Sequence, residues 1–229
     1  MKKMNRGETL ELIVRKLGRI DYMDALRLQE ELVIKRQEQL IPDTLLLLEH
    51  PPVITLGRRG KYSNIKVPPE TLKQNNTEIY ETDRGGDVTY HGPGQIVGYP
   101  IFDLKKHGRD IKQFVWNIEE VFIRMLKEQF NIEAHREGKE YTGVWVGKDK
   151  ITAIGISVKK WVTMHGFAFN VNTNLDHFDW IIPCGLNDRG VTSLQKLVGK
   201  HMDFDEIMEL TADYFCKIFN MTGRDYNAG

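Results

Sequence analysis

The chain is predicted to fold as a single α+β domain, with a mixed, largely antiparallel sheet flanked by helices. Three observations predict this. Three long segments carry apolar residues at helical spacing, seven or more shorter segments read as strands, and the two kinds do not alternate as repeated βαβ units. The length of 229 residues, with 41% hydrophobic and 28% charged residues, suits one domain spanning 1–229.

The elements follow in order. Residues 10–14 read as a short strand. Asp21 is a candidate helix N-cap with Asp24 three positions on, and Tyr22, Ala25, Leu28 and Leu32 follow in helical phase to about Gln39, before Pro42. Residues 44–49 are a continuous apolar run and so a buried strand. "HPPVITLGRRG" reads as turn, short strand and loop, and 68–75 as a short helix opened by Pro68 and Pro69. Residues 78–82 form a strand leading into "RGGDVTYHGPGQ". Ile96 to Phe102 form another, for which Pro100 predicts an edge position or an irregular end. Asp110 caps a long helix with a Phe114, Ile118, Val121, Met125 stripe. "TGVWVGKDKITAIGISVKK" alternates around a turn at Gly-Lys-Asp-Lys and predicts a hairpin. "VTMHGFAFNVN" continues the period of two, with Phe167, Phe169 and Val171 on one face and Ala168, Asn170 and Asn172 on the other. A last helix over 203–219 places Ile207, Leu210, Tyr214 and Ile218 in phase.

Composition narrows the functional classes. The formal net charge is +0, so no global field draws the chain to nucleic acid or to an anionic membrane. A local basic patch around Arg58, Arg59 and Lys61 stays open. No run approaches the ~20 apolar residues of a membrane span, and the N-terminus has no apolar signal core, so a cytoplasmic protein is expected. The two cysteines, Cys184 and Cys216, form no C-x-x-C pair, which argues against a disulfide framework or a zinc site. No histidine pair has H-x-x-x-H spacing, and no metal is expected.

Several residues are candidates for chemistry. In "RGGDVTYHGPGQ", Gly85 and Gly86 allow backbone N–H groups to approach a ligand, and Arg84 is suited to an anionic or polar group. The spacing matches neither dinucleotide nor P-loop fingerprints, and a plain strand-turn-strand is an equal reading. Cys184, in "IIPCGLNDRGVTSL", sits between a proline and a glycine, a setting that suits a nucleophile beside an oxyanion hole. A buried inert thiol is the alternative, and it is the reading adopted for Cys216. Lys150 opens "KITAIGISV" and would favour a Cys184 thiolate if folding brought them together; Lys148, Lys159 and Lys160 are equal by composition. His91 and His165, each beside a glycine, are either structural or pocket-lining, and His50 before Pro51-Pro52 orders a turn.

Taken together, "LLLLEHPPVITLGRRG", "RGGDVTYHGPGQIVGYPIFDL", "KITAIGISVKKWVTMHGFAFNVN" and "IIPCGLNDRGVTSL" closely resemble the lipoyl(octanoyl) transferase family over nearly the whole chain. The resemblance implies a fold shared with biotin and lipoate protein ligases. It implies a cytoplasmic acyltransferase with no bound cofactor, whose donor is octanoyl-phosphopantetheine on acyl carrier protein. The acceptors would be lysines of lipoyl domains in 2-oxoacid dehydrogenase complexes and of the glycine-cleavage H protein. The chain would act as a monomer, without nucleic acid or membrane. Carried over by position, Cys184 matches the acyl-thioester nucleophile and Lys150 its partner. Arg84, Gly85, Gly86, Asp87, Val88, Thr89, Tyr90 and His91 match one substrate-binding segment. Ala153, Ile154 and Gly155 match a second, and Gly166, Phe167 and Ala168 a third. Some relatives carry serine where this chain has Ala153, which removes a hydroxyl contact but not a backbone one. Tyr90, Phe167 and Ile154 are candidates to line an acyl tunnel. The rival readings are an ATP-dependent ligase on the same fold, a non-catalytic binding module, and a thiol hydrolase.

Overall fold

Two sheets organise the computed structural model, which describes residues 10–138, 141–182 and 189–225. The larger has nine strands. Its central members are β2 (Asp43–Glu49), β6 (Gln95–Ile101), β10 (Val162–Asn170) and β9 (Asp149–Lys159), all joined by antiparallel ladders. On one flank β1 (Leu10–Arg19) runs parallel to β2, and β12 (Met221–Asp225) runs parallel to β1. On the other flank, β8 (Gly143–Val146) and β7 (His135–Arg136) are antiparallel additions, while β11 (Gly190–Val191) lies parallel to the start of β9. The mixed, largely antiparallel character is as predicted.

A separate three-stranded sheet is added to that expectation. It pairs β3 (Val53–Leu56) in parallel with β4 (Glu78–Glu81) and antiparallel with β5 (Val88–His91). Four of the twelve residues of the glycine-rich stretch, Val88–His91, therefore lie in strand β5 rather than in a loop. Alternation divides β5 cleanly: Val88 and Tyr90 enter a small core with Ile54, Leu56, Leu72, Phe178 and Ile181 beneath α2 (Pro69–Gln74), whereas Thr89 and His91 face the other way.

Helices cover both faces of the large sheet. On one, α1 (Tyr22–Gln37) packs Ala25, Leu32 and Val33 onto Leu46, Leu48, Val97 and Ala168. Its end is tied down by a buried ion pair from Arg36 Nε to Asp43 Oδ1 at 2.7 Å, with His107 and the Asp103 N–H on the same carboxylate. On the other face lie α3 (Ile111–Phe130) and α5 (Phe204–Phe219), which share a core with Phe167, Phe169 and Leu47; the short α4 (Leu194–Val198) adds Leu194. Aspartates begin both long helices: the Asp110 carboxylate accepts from the N–H of Lys112 and Gln113, and that of Asp203 from Asp205 and Glu206. Asn131 and Asn220, at φ 53° and 52°, end them in the left-handed region that asparagine tolerates. Asp21 precedes α1 as expected but makes no side-chain cap bond.

Of the two positions expected for Pro100, the edge is corrected and the irregular end is found: β6 is a central strand, but Pro100 is its penultimate residue, opposite Leu45 of β2 and past the last pairing with β10. Proline is tolerated because the β6–β10 ladder ends at Gly98↔Phe167, so no N–H is required there on the β10 side. Thr163 Oγ1 fills the gap, donating to Pro100 O at 2.6 Å and accepting from the Phe102 N–H at 2.8 Å. Cys216 packs beside the main core, as its helical setting predicted.

Candidate active site

The site is built on the β9–β10 hairpin, where two of the segments singled out in the sequence lie directly opposite one another. Gly155 pairs with Gly166, Ile154 with Phe167, and Ala153 with Ala168. The third segment lies against them. The Gly85 N–H donates to Ile156 O at 3.0 Å, and a Cβ on Gly155 would stand 2.5 Å from Gly85 O. A Cβ on Gly166 would stand 2.0 Å from Gly98 O. These glycines bring backbone onto backbone, so the Gly85 amide is used inside the protein and not held out to a ligand.

Arg84 has the same organising role. Its guanidinium is buried; Nε donates to Thr55 Oγ1, Nη2 to Thr55 O and Asp87 O at 2.7 Å, and Nη1 to Gly85 O. Carbonyl oxygens take most of its donors, so of the anionic or polar partner expected for Arg84 the structure shows polar backbone groups of the chain itself. The Asp87 carboxylate is likewise occupied, by the Asn64 amide and the Val88 N–H. The result is a rigid roof over the hairpin.

Around these segments lies a cavity of about 610 Å³, well within the range for small-molecule sites. Arg84, Gly85, Gly86, Asp87, Val88, Thr89, His91, Lys150, Ala153, Ile154, Gly155, Gly166, Phe167 and Ala168 all reach it. Tyr90 does not. It shares a face of β5 with Val88, but its ring packs within the small core, where its hydroxyl meets His177 Nδ1 at 2.6 Å. Residues on both faces of β9 and β10 contribute, with Tyr22 and Tyr99 on the α1 side and Val115, Trp116 and Glu119 on α3.

Neutral hydrogen-bonding groups fill the α1 side. His50 Nδ1 donates to Ile20 O at 2.7 Å, so its Nε2 accepts from the Tyr99 hydroxyl at 2.7 Å. His91 Nδ1 donates to Gln95 Oε1 at 2.8 Å, because the Gln95 amide nitrogen is committed to Tyr90 O and Asn170 Oδ1. The Asn170 amide in turn donates to Thr192 O. Burial pushes the His50 pKa down to about 4 and that of His91 to about 3, the latter helped by the charges of His50, Arg84 and His165. Burial also raises Tyr22 to about 12. His165 Nε2 donates to Asp83 Oδ1 at 2.7 Å, and His165 is likewise depressed by burial. His50 is thus a buried anchor and not merely a turn residue. Gln95, Asn170, Tyr22 and Tyr99 were not singled out in the sequence, although a glutamine opening "QIVGYPI" and an asparagine closing "FAFN" are buried-polar signals.

These depressed values have a sign. The unfolded chain protonates its histidines near 6.5 and the folded chain does not protonate His50 until about 4. The stability from neutral burial is therefore complete above about pH 6.5 and is lost as pH falls through that window, by up to about 3 kcal/mol for His50. His50→Gln is expected to flatten the fall in urea midpoint between about pH 6.5 and 4; an unchanged slope would refute this.

Lys150 lies at the start of β9, opposite Trp145 on β8 and Val191 on β11. Its Nζ is 3.3 Å from Thr142 O and 4.7 Å from the centroid of the Trp145 ring. Glu119 is near enough to feel its charge, although burial dominates and raises the Glu119 pKa. Lys148, Lys159 and Lys160 do not reach the cavity. Cys184 lies outside the described residues. The described chain before residue 183 and after residue 188 is held by backbone contacts. Ile182 N donates to Asn64 O, Ile181 bridges Ile65, and β11 pairs with Asp149 and Lys150. Among the described residues, no cluster of three His, Cys, Asp or Glu side chains could hold a metal, and no helix is long and apolar enough to cross a membrane.

Residues 21–216 match the lipoyl protein ligase A/B catalytic domain. The chain belongs to this family. An octanoyltransferase of Caldicellulosiruptor saccharolyticus is 62% identical over 210 residues, spanning 92% of this chain and 89% of that protein. A solved lipoate-protein ligase A with bound ATP has a TM-score of 0.75 at 16% identity, over 96% of this chain and 90% of that one. Biotin protein ligase from Aquifex aeolicus, in complex with biotin and ATP, has a TM-score of 0.54 at 16% identity, over 92% and 70%. At such identities the two ligases establish the common fold alone, as predicted. Within the family, the octanoyltransferase relatives support octanoyl transfer in lipoylation, an acyltransferase reaction, as the activity of this chain.

Proposed function

We propose that the chain moves an octanoyl group from octanoyl-acyl carrier protein to the lysine of a lipoyl domain through a Cys184 thioester. The observation that carries this is the convergence of the three segments and Lys150 on one cavity. The Cys184 thiolate attacks the donor thioester carbonyl. A new S–C bond forms, the carrier's C–S bond breaks, and the carrier thiol leaves with a proton. The neutral acceptor amine then attacks, a C–N amide bond forms, and the Cys184 sulfur leaves.

Lys150 serves both halves. Its ammonium favours the thiolate, and as an acid and base it hands the proton to the carrier sulfur and takes one from the acceptor amine. The acceptor lysine, with an ordinary pKa of about 10.4, needs that help to attack as a free amine. The apolar floor of Ile154, Ile156 and Phe167 suits the acyl chain, and each buried CH₂ contributes about 0.8 kcal/mol, so length is read through depth. The donor is already activated, so no ATP enters. The reaction belongs in the cytoplasm, where its donor and acceptors are made.

The test is donor use. Incubated with octanoyl-carrier protein and a lipoyl domain without nucleotide, the protein is expected to add one octanoyl group to the domain, read by intact mass. Modification only from free octanoate plus ATP would establish the ligase instead.

A further inference from the structure

We propose that Arg58 and Arg59 form a binding site for the phosphate of the donor's phosphopantetheine arm. The inference rests on the carrier-protein reading above and adds a subsite to it.

The arginines differ in their partners. Ten of the twelve described arginines have a side-chain partner: Arg19 with Glu49, Arg36 with Asp43, Arg124 with Glu120 and Arg189 with Glu137 are examples. Arg58 and Arg59 alone have none among the described residues. The chain carries no net charge, so an adjacent pair of uncommitted guanidiniums is not a by-product of general basicity. Neither Asp87, whose carboxylate accepts from Asn64 and the Val88 N–H, nor Asp83, bound by His165 and Lys159, forms an ion pair with them.

The backbone beneath the pair is fixed in place. Gly57 N donates to Asp87 O, Arg58 N to Arg84 O and Arg59 N to Gly86 O, each at 3.0 Å, and Gly60 N closes the turn on Gly57 O at 2.7 Å. The turn is thus bonded to the very segment that roofs the cavity, and the Arg59 side chain forms part of the cavity wall. Both arginines are exposed, so their forks are open to an anion arriving from solvent. A phosphate offers coplanar oxygens that a guanidinium grips through two parallel N–H groups, which an ammonium does not match. The donor brings one such group, at the far end of the arm from its thioester. Acyl chain in the cavity and phosphate at its mouth would orient the arm between them.

The experiment compares three donors: octanoyl-pantetheine, octanoyl-phosphopantetheine and octanoyl-carrier protein. The wild-type chain is expected to favour the phosphorylated small donor over the unphosphorylated one by about ten-fold or more in kcat/KM, chiefly through KM. The Arg58→Ala/Arg59→Ala variant is expected to reduce that ratio to near unity, and Arg59→Lys to retain part of it. Added salt should shrink the wild-type ratio and leave the variant's unchanged. A ratio near unity in the wild type, or one that survives in the double variant, overturns the site. So does a variant that is impaired with the whole carrier yet keeps its preference for the phosphorylated small donor, which would place the arginines on the carrier's own surface. A wild type that uses none of the three donors overturns the octanoyl-transfer reading itself and the subsite with it.

Discussion

Cys184→Ala is expected to abolish octanoyl transfer and to leave the protein without an octanoyl adduct. The proposed reaction has no other electron pair able to hold the acyl group between donor and acceptor. Loss of a covalent nucleophile typically costs about 10⁴-fold or more in turnover. Intact-mass measurement after incubation with octanoyl-carrier protein reads this directly: one octanoyl group on the wild type, none on the variant. The chain's other cysteine provides the control. Cys216 packs on α5 beside Phe215 and the main core, so Cys216→Ala should still become acylated. An adduct that persists on Cys184→Ala would overturn the assignment.

Lys150→Ala is expected to slow transfer by about 10²- to 10⁴-fold, the range for removing an acid–base group, while the chain stays folded. Its ladder partners, Trp145 and Val191, pair through backbone and do not depend on the ammonium. Two functions are combined in that side chain, and Lys150→Arg separates them. Arginine keeps the positive charge but does not give up a proton near neutral pH. The arginine variant is therefore expected to preserve fast alkylation of Cys184 by iodoacetamide, the mark of a stabilised thiolate, and still to transfer slowly. Near-wild-type turnover of the alanine variant would remove Lys150 from the mechanism.

Local signals made much of the fold legible. The β8–β9 hairpin follows from alternation on both sides of a two-residue turn at Gly147-Lys148, with Gly147 at φ 58°. The long helices follow from Asp110 and Asp203 and their apolar stripes. Where expectation and structure part, the deciding interaction is long-range. Pro100 sits at the irregular end of a central strand rather than at an edge, because Thr163, 63 residues away, occupies the place of the missing ladder bond. Strand β12 was not expected after the last helix, and it exists because β1 offers a parallel edge. Tyr90 was grouped with the substrate segment, but its packing against His177, Phe178 and Trp180 holds it in the small core.

The site divides in the same way. The order of the motifs, through the family they resemble, singled out three glycine-bearing segments and Lys150 as parts of one site, and the structure lines one cavity with them. Only the tertiary structure decided what each does. Gly85, Gly155 and Gly166 serve close backbone contact, Arg84 holds the roof by its carbonyls, and His50 and His91 are kept neutral by burial. Glycine, arginine and histidine each have several uses, and the choice depends on dielectric and on partners within about 3 Å. Those partners come from distant parts of the chain, as Thr55 does for Arg84 and Tyr99 for His50, so pairing on folding sets the role of each residue.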